Sequence, residues 1–112
     1  MPKQYEIIIF TNSQGKKPYE KWLSKLRDQR AKGKILRRVE RVSLGNFGDH
    51  KSVGQGVYEL RENYGPGYRV YYGKDGEKLV IILCGGAKDS QTVDIEDAKA
   101  YWAEYKKAKR GK

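Results

Sequence analysis

The chain has 112 residues, 38% of them apolar, which suits one compact domain with a modest core and leaves no room for a second. Its 24 Lys/Arg against 14 Asp/Glu give a net charge of +10, and with a mean hydropathy of -0.89 this favours an anionic partner such as nucleic acid, an anionic membrane surface or an acidic protein. One cysteine, Cys84, and one histidine, His50, exclude an intramolecular disulfide and leave a Cys/His zinc site short of ligands, so no metal or cofactor is expected.

The predicted elements follow in chain order. Residues 5–10 (YEIIIF) form a β-branched run, a buried strand. Residues 11–17 carry Asn, Ser and Gly and read as a loop, and Pro18 suits a first helical turn. Tyr19, Trp22, Leu23 and Leu26 then fall on one helical face. Gly33 marks a break, after which a second helix runs to about Leu44 with Ile35, Val39 and Val42 as its apolar stripe and Gly45 just past its end. The short connection predicts an antiparallel helical hairpin. Residues 45–56 (GNFGDHKSVGQG) read as a glycine-rich loop. Three strands follow over 57–63, 68–74 and 78–84, separated by GPG and KDGE turns. The last of them, KLVIILC, is apolar almost throughout and calls for cover on both faces. A final helix over about 92–107, with Ile95, Ala98, Trp102 and Tyr105 inward and Thr92 or Asp94 as its cap, leads to a basic, frayed tail from about residue 106.

The order is therefore β-α-α-β-β-β-α, an α+β domain in which a small, mostly antiparallel sheet packs with a helical hairpin and a C-terminal helix. No apolar run is long enough to cross a bilayer and the first residues lack a signal-peptide pattern, so a cytoplasmic location is expected.

Charge is uneven along the chain. Residues 1–52 hold 13 Lys/Arg and 5 Asp/Glu, whereas residues 53–112 hold 11 and 9. On the second helix, Arg30, Lys34, Arg37 and Arg41 recur at helical spacing with Arg38 beside them, a cationic stripe about three turns long. Only Glu40 offsets it locally. A solvated helix face and an anion-binding face account for it equally well.

The second candidate site lies in VYELRENYGPGYRVYYG (57–73). Strand alternation puts Tyr58 and Leu60 on one face and Glu59 and Arg61 on the other. In the next strand Tyr68, Val70 and Tyr72 oppose Arg69 and Tyr71. With Leu60 and Val70 buried, Glu59, Arg61, Arg69 and Tyr71 share an open sheet face. Arginine offers a planar fork of donors to phosphate, and tyrosine stacks on bases; the plainer reading has Glu59 and Arg61 pairing with neighbouring surface charges. CGGAKDSQ (84–91) follows the apolar strand and places Lys88, Asp89, Ser90 and Gln91 at a strand end. It lacks the phosphate-cradling G-x-x-x-x-G-K-[ST] pattern, and its glycines serve the strand-to-helix turn. His50, alone in a loop, is read as incidental, and Cys84 as a small core residue.

KWLSKLRD (21–28), RVSLGNFGDHKSVGQGVYELR (41–61), GPGYRVYY (65–72), LCGGAKDSQ (83–91) and DIEDAKAYWAEY (94–105), in this order, resemble the RelE/ParE superfamily of type II toxins. The closest match is the subgroup of addiction module killer proteins related to HigB. The resemblance implies a RelE-like fold and a toxin neutralised by a cognate antitoxin protein. For the ribosome-acting branch it implies cleavage of mRNA in the ribosomal A site, by attack of a ribose 2′-hydroxyl on the adjacent phosphate. Arg61 and Arg69 then match the phosphate-binding positions, and Lys88 stands where relatives carry a basic or aromatic residue. This chain has no histidine there, so Tyr71, Lys51 or Lys88 would take the acid–base role, or the ribosome would supply the positioning, with Tyr71 also stacking on a base. Lys51, Arg30, Lys34, Arg37, Arg38 and Arg41 are the expected RNA-binding residues. A DNA gyrase inhibitor without nuclease activity is the alternative within the superfamily, and a domain that only binds its antitoxin is a third.

Overall fold

The computed structural model describes residues 4–110. The elements are β1 (Glu6–Ile9), α1 (Pro18–Lys25), α2 (Gln29–Ser43), β2 (His50–Gly54), β3 (Val57–Glu62), β4 (Tyr68–Asp75), β5 (Leu79–Ala87), a 3-10 turn (Lys88–Ser90) and α3 (Gln91–Arg110). They build an α+β structure around one five-stranded mixed sheet in the order β1-β5-β4-β3-β2. Only β1 pairs in parallel, with β5; the other neighbours are antiparallel.

Both faces of the sheet are covered. On one, Tyr19 of α1 and Ala31, Ile35, Val39 and Val42 of α2 pack against Leu60, Val70, Tyr72, Val80 and Ile82. Helix α1 rests on β5 and α2 on β3. On the other, Ala98 and Trp102 of α3 close over Val57, Tyr71, Ile81, Leu83 and Cys84. Strand β5 thus alternates Val80 and Ile82 toward one layer with Ile81 and Leu83 toward the other, which is why almost every position in it is apolar. Tyr68 and Tyr72 are buried, as a core role requires.

Four local expectations are corrected. Gly33 does not break the second helix, which starts four residues earlier. Asp28 caps it, its carboxylate accepting from the N–H groups of Arg30 (3.0 Å) and Ala31 (3.2 Å). A cap worth about 1 kcal/mol offsets the similar cost of one internal glycine. The stretch read as a loop contains β2, paired to β3 with a bulge between Ser52 and Gly54. Gln55 and Gly56 turn the chain with φ of 56° and 84°, the positive pair that tight hairpins demand. Thr92 and Asp94 lie inside α3 rather than capping it, because the helix is entered through the 3-10 turn. The tail is helical to Arg110, with Tyr105 and Lys109 both donating to the Asp75 carboxylate; residues 111–112 lie outside the described residues.

Gly45 does end α2 as expected. It adopts φ 88°, its N–H donates to Val42 O and that of Asn46 to Arg41 O, both at 2.9 Å, the paired bonds of a Schellman motif. Gly85 and Gly86, read as turn residues, lie inside β5. A side chain at Gly85 would run into Trp22 of α1, and one at Gly86 into Asp94 of α3.

Candidate functional site

Strand register builds the site. Arg61 on β3 stands directly across from Arg69 on β4, and two pairs along, Glu59 stands across from Tyr71. Lys51 on β2 lies across from Glu59 on its other side, and Gly86 on β5 lies across from Arg69. All these positions face the α3 side of the sheet. Two like charges directly opposed on one face repel, so the arrangement requires a counter-charge.

Glu59 supplies it. Its side chain is fully buried, at 0% exposure. Arg61 Nε donates to its Oε1 at 3.1 Å, Arg69 Nε lies 3.7 Å from Oε2, and Gln91 Nε2 at the start of α3 donates to the same Oε2 at 3.1 Å. Arg69 also reaches its own strand, Nη1 donating to Tyr68 O at 3.4 Å. Arg61 extends to within 3.8 Å of Asp49. Alternation correctly placed Glu59, Arg61, Arg69 and Tyr71 on one face, but that face is not open. Helix α3 covers it, leaving Arg69 at 7% and Tyr71 at 0% exposure, while the Arg61 side chain keeps 29%.

Burial revises the part given to Tyr71. No face of its ring is open to stack a base, and its hydroxyl has no hydrogen-bond partner. Burial, with Glu59 nearby, pushes the phenol well above its ordinary range. Lys51 and Lys88 are exposed. Lys88 begins the turn after β5, where its N–H donates to Gly67 O at 2.9 Å. His50 opens β2, exposed, with Nδ1 2.9 Å from Gly48 O.

The cationic stripe lies on α2, on the opposite face of the sheet. Arg30, Arg37 and Arg41 are exposed and Lys34 partly so. Arg38 is not part of this open surface. It is 6% exposed, donating from Nη2 to Asp49 O at 2.9 Å and from Nε to Arg61 O at 3.3 Å. Burial lowers its pKa from the ordinary value. Arg38 therefore pins the approach to β2 onto β3, a role helical spacing alone does not reveal. A cleft of about 460 Å³ is lined by Gln29, Arg30, Gly33, Lys34, Arg37 and Tyr64, with the Lys34 ammonium 5.3 Å from the centre of the Tyr64 ring. A second recess beside it is lined by Lys34, Arg37, Arg41 and Glu62. Glu62 thus joins Glu40 as a nearby acid, though among the described residues neither comes within ion-pair distance of the stripe.

Sequence reasoning missed Gln91 and the hub role of Glu59. The signal for Glu59 was available: two residues before Arg61, it had to share that arginine's face. Among the described residues no group of three His, Cys, Asp or Glu side chains is placed to hold a metal ion, and no helix is long and apolar enough to cross a membrane.

Residues 21–111 match the family described as Phage derived protein Gp49-like (DUF891). An uncharacterized protein of Haemophilus influenzae is 53% identical over 81 residues, spanning 72% of this chain and 82% of that relative.

Proposed function

The chain belongs to the Gp49-like family of phage-derived proteins, and from that premise we propose that it is the toxin of a type II toxin–antitoxin pair, an endoribonuclease that cuts mRNA on the ribosome. The family is in general a RelE/HigB-like toxin family, and membership points to an antitoxin partner. Assignment to the HigB-like killer subgroup, and of the strand and helix order to the RelE topology, belongs to the same proposal.

The observation that carries the reading is the pairing of Arg61 with Arg69 beneath a partly open rim, with a second cationic surface on the other face of the sheet whose charges have no ion-pair partner among the described residues. Ribonucleolysis without a metal proceeds by in-line attack. The ribose 2′-oxygen bonds to the adjacent phosphorus, the bond to the 5′-oxygen breaks, and a 2′,3′-cyclic phosphate and a 5′-hydroxyl result. A base takes the 2′-proton, an acid protonates the leaving oxygen, and cations stabilise the charge on the phosphorane. Arg61 and Arg69 form the cationic centre of this site. Lys51 and Lys88, both exposed, serve charge stabilisation and proton transfer. Arg30, Lys34, Arg37 and Arg41 grip the RNA backbone.

Purified translation with toe-printing tests the reading, with ribosome-dependent breaks in A-site codons as the expected result. Intact A-site mRNA together with arrested cell growth would sink it. A supercoiling assay on the same preparation then asks whether gyrase is the target.

A further inference from the structure

The two arginines face each other across one strand pair, yet their surroundings differ. Arg61 presents its Nε inward to Glu59 Oε1 at 3.1 Å and its Nη end outward. Its outer neighbour, Asp49, is half exposed and 3.8 Å away, beyond hydrogen-bond length. An incoming phosphate can take that position without breaking a hydrogen bond to Arg61. Arg69 donates to Tyr68 O at 3.4 Å and faces Glu59 Oε2 at 3.7 Å, an ion pair without a hydrogen bond, and 9% of its side chain reaches solvent. Between them Glu59 has no exposed surface, so a phosphate cannot replace it without lifting α3 from the sheet. Its two oxygens are divided: Oε1 holds Arg61, whereas Oε2 takes Arg69 and Gln91.

From this division we infer that, of the two opposed arginines, Arg61 alone contacts phosphate, and that Glu59, Arg69 and Gln91 are positioning residues that aim it. Arg69 balances the second half of the Glu59 carboxylate. Gln91, the first residue of α3, fixes that carboxylate's rotation and so ties the aim of Arg61 to the seating of the helix. The inference rests on the RNA-binding reading above and assigns the β3–β4 arginine pair a single contact residue.

Salt dependence separates contact from positioning, because each phosphate neutralised on a single strand adds about 0.7 to the log–log slope of affinity against salt. The experiment measures anisotropy of a labelled single-stranded RNA, 2′-O-methylated so that no cleavage intervenes, against the full chain over a salt series. Arg61→Gln is expected to weaken binding and lower the slope by about 0.7, and Arg61→Lys to restore the slope. Arg69→Gln, Glu59→Gln and Gln91→Ala are expected to weaken binding, by about tenfold for the buried groups, with the slope unchanged. Should either buried variant fail to fold, Gln91→Ala carries the test, since Gln91 is only partly buried.

A slope lowered equally by Arg69→Gln and Arg61→Gln overturns the inference, as does a slope untouched by Arg61→Gln. Wild-type affinity matched by Gln91→Ala and Glu59→Gln overturns the positioning role. No salt-dependent RNA binding by the wild-type chain removes the RNA reading itself and the inference with it.

Discussion

Two cationic regions lie on opposite faces of one sheet, and they treat their charges differently. Under α3, Arg61 and Arg69 share one buried carboxylate and a glutamine. Along α2, Arg30, Lys34, Arg37 and Arg41 meet solvent and line open clefts, with no acid at ion-pair distance among the described residues. The first region is built, since its charges are oriented by groups that the fold cannot release cheaply. The second is only displayed, with flexible cations free to follow whatever binds. A net charge of +10 therefore overstates what a partner meets at the first region and describes the second well. Arg38 shows how close the two cases lie: it shares the helix with the stripe, yet it is consumed by backbone carbonyls of the sheet edge.

The comparison is broken most severely by removing the shared carboxylate. Glu59→Ala leaves two arginines without their buried counter-charge and is expected to destabilise the fold by about 3–5 kcal/mol, read as a shift in urea midpoint at unchanged m. Arg38→Ala comes next. It removes a donor from the carbonyls of Asp49 and Arg61, of which Asp49 O keeps the Arg61 N–H at 2.9 Å, at a cost of about 2 kcal/mol, and increased hydrogen exchange is expected in β2 and the segment before it.

A smaller effect sharpens the contrast through pH. Burial raises the phenols of Tyr71 and Tyr72 above the ordinary 10.0 and that of Tyr19 to about 12. Stability from these groups is complete below pH 10.0, where folded and unfolded chains both hold the protons. It is lost as the pH rises through the folded values, because the unfolded chain ionises first. Tyr71→Phe removes a partnerless buried hydroxyl and is expected to gain up to about 1 kcal/mol at neutral pH. It also flattens the alkaline loss, as urea midpoints across a pH series would show.

The smallest change in stability belongs to the displayed surface. Arg30→Gln, Lys34→Gln and Arg37→Gln combined should move stability by no more than about 0.5 kcal/mol per site while lowering the RNA salt slope by about 2. A large loss of stability in this variant would mean that the stripe is structural after all.

Periodicity made much of this legible. The apolar run of β5, the inward faces of α1 and α2 and the shared face of Arg61 and Arg69 all follow from spacing, because side-chain direction is a local property. Which layer covers that face is not local. It depends on where the chain goes after Gly86, so the burial of Arg69 and Tyr71 under α3 could not be read from the strands themselves. Strand β2 escaped notice because HKSVG at a sheet edge has only Val53 to show as apolar, so no alternation marks it. Gly33 misled because a glycine's cost was weighed without the offsetting cap at Asp28. Lys51 and Lys88 were legible as exposed cations, but their relation to Arg61 depends on register across separate strands.

The parallel pairing of β1 with β5 sets Glu6 beside Leu79 and Ile9 beside Ile82, so the first strand made is seated only when the last has been made. Gln91, which completes the Glu59 hub, comes later still. A chain emerging from the ribosome can thus form α1, α2 and the meander of β2, β3 and β4 while β1 waits without its partner. Long-range closure of this kind slows folding, and it makes the arginine pair one of the last features to mature. During synthesis, the chain is charged well before it is armed.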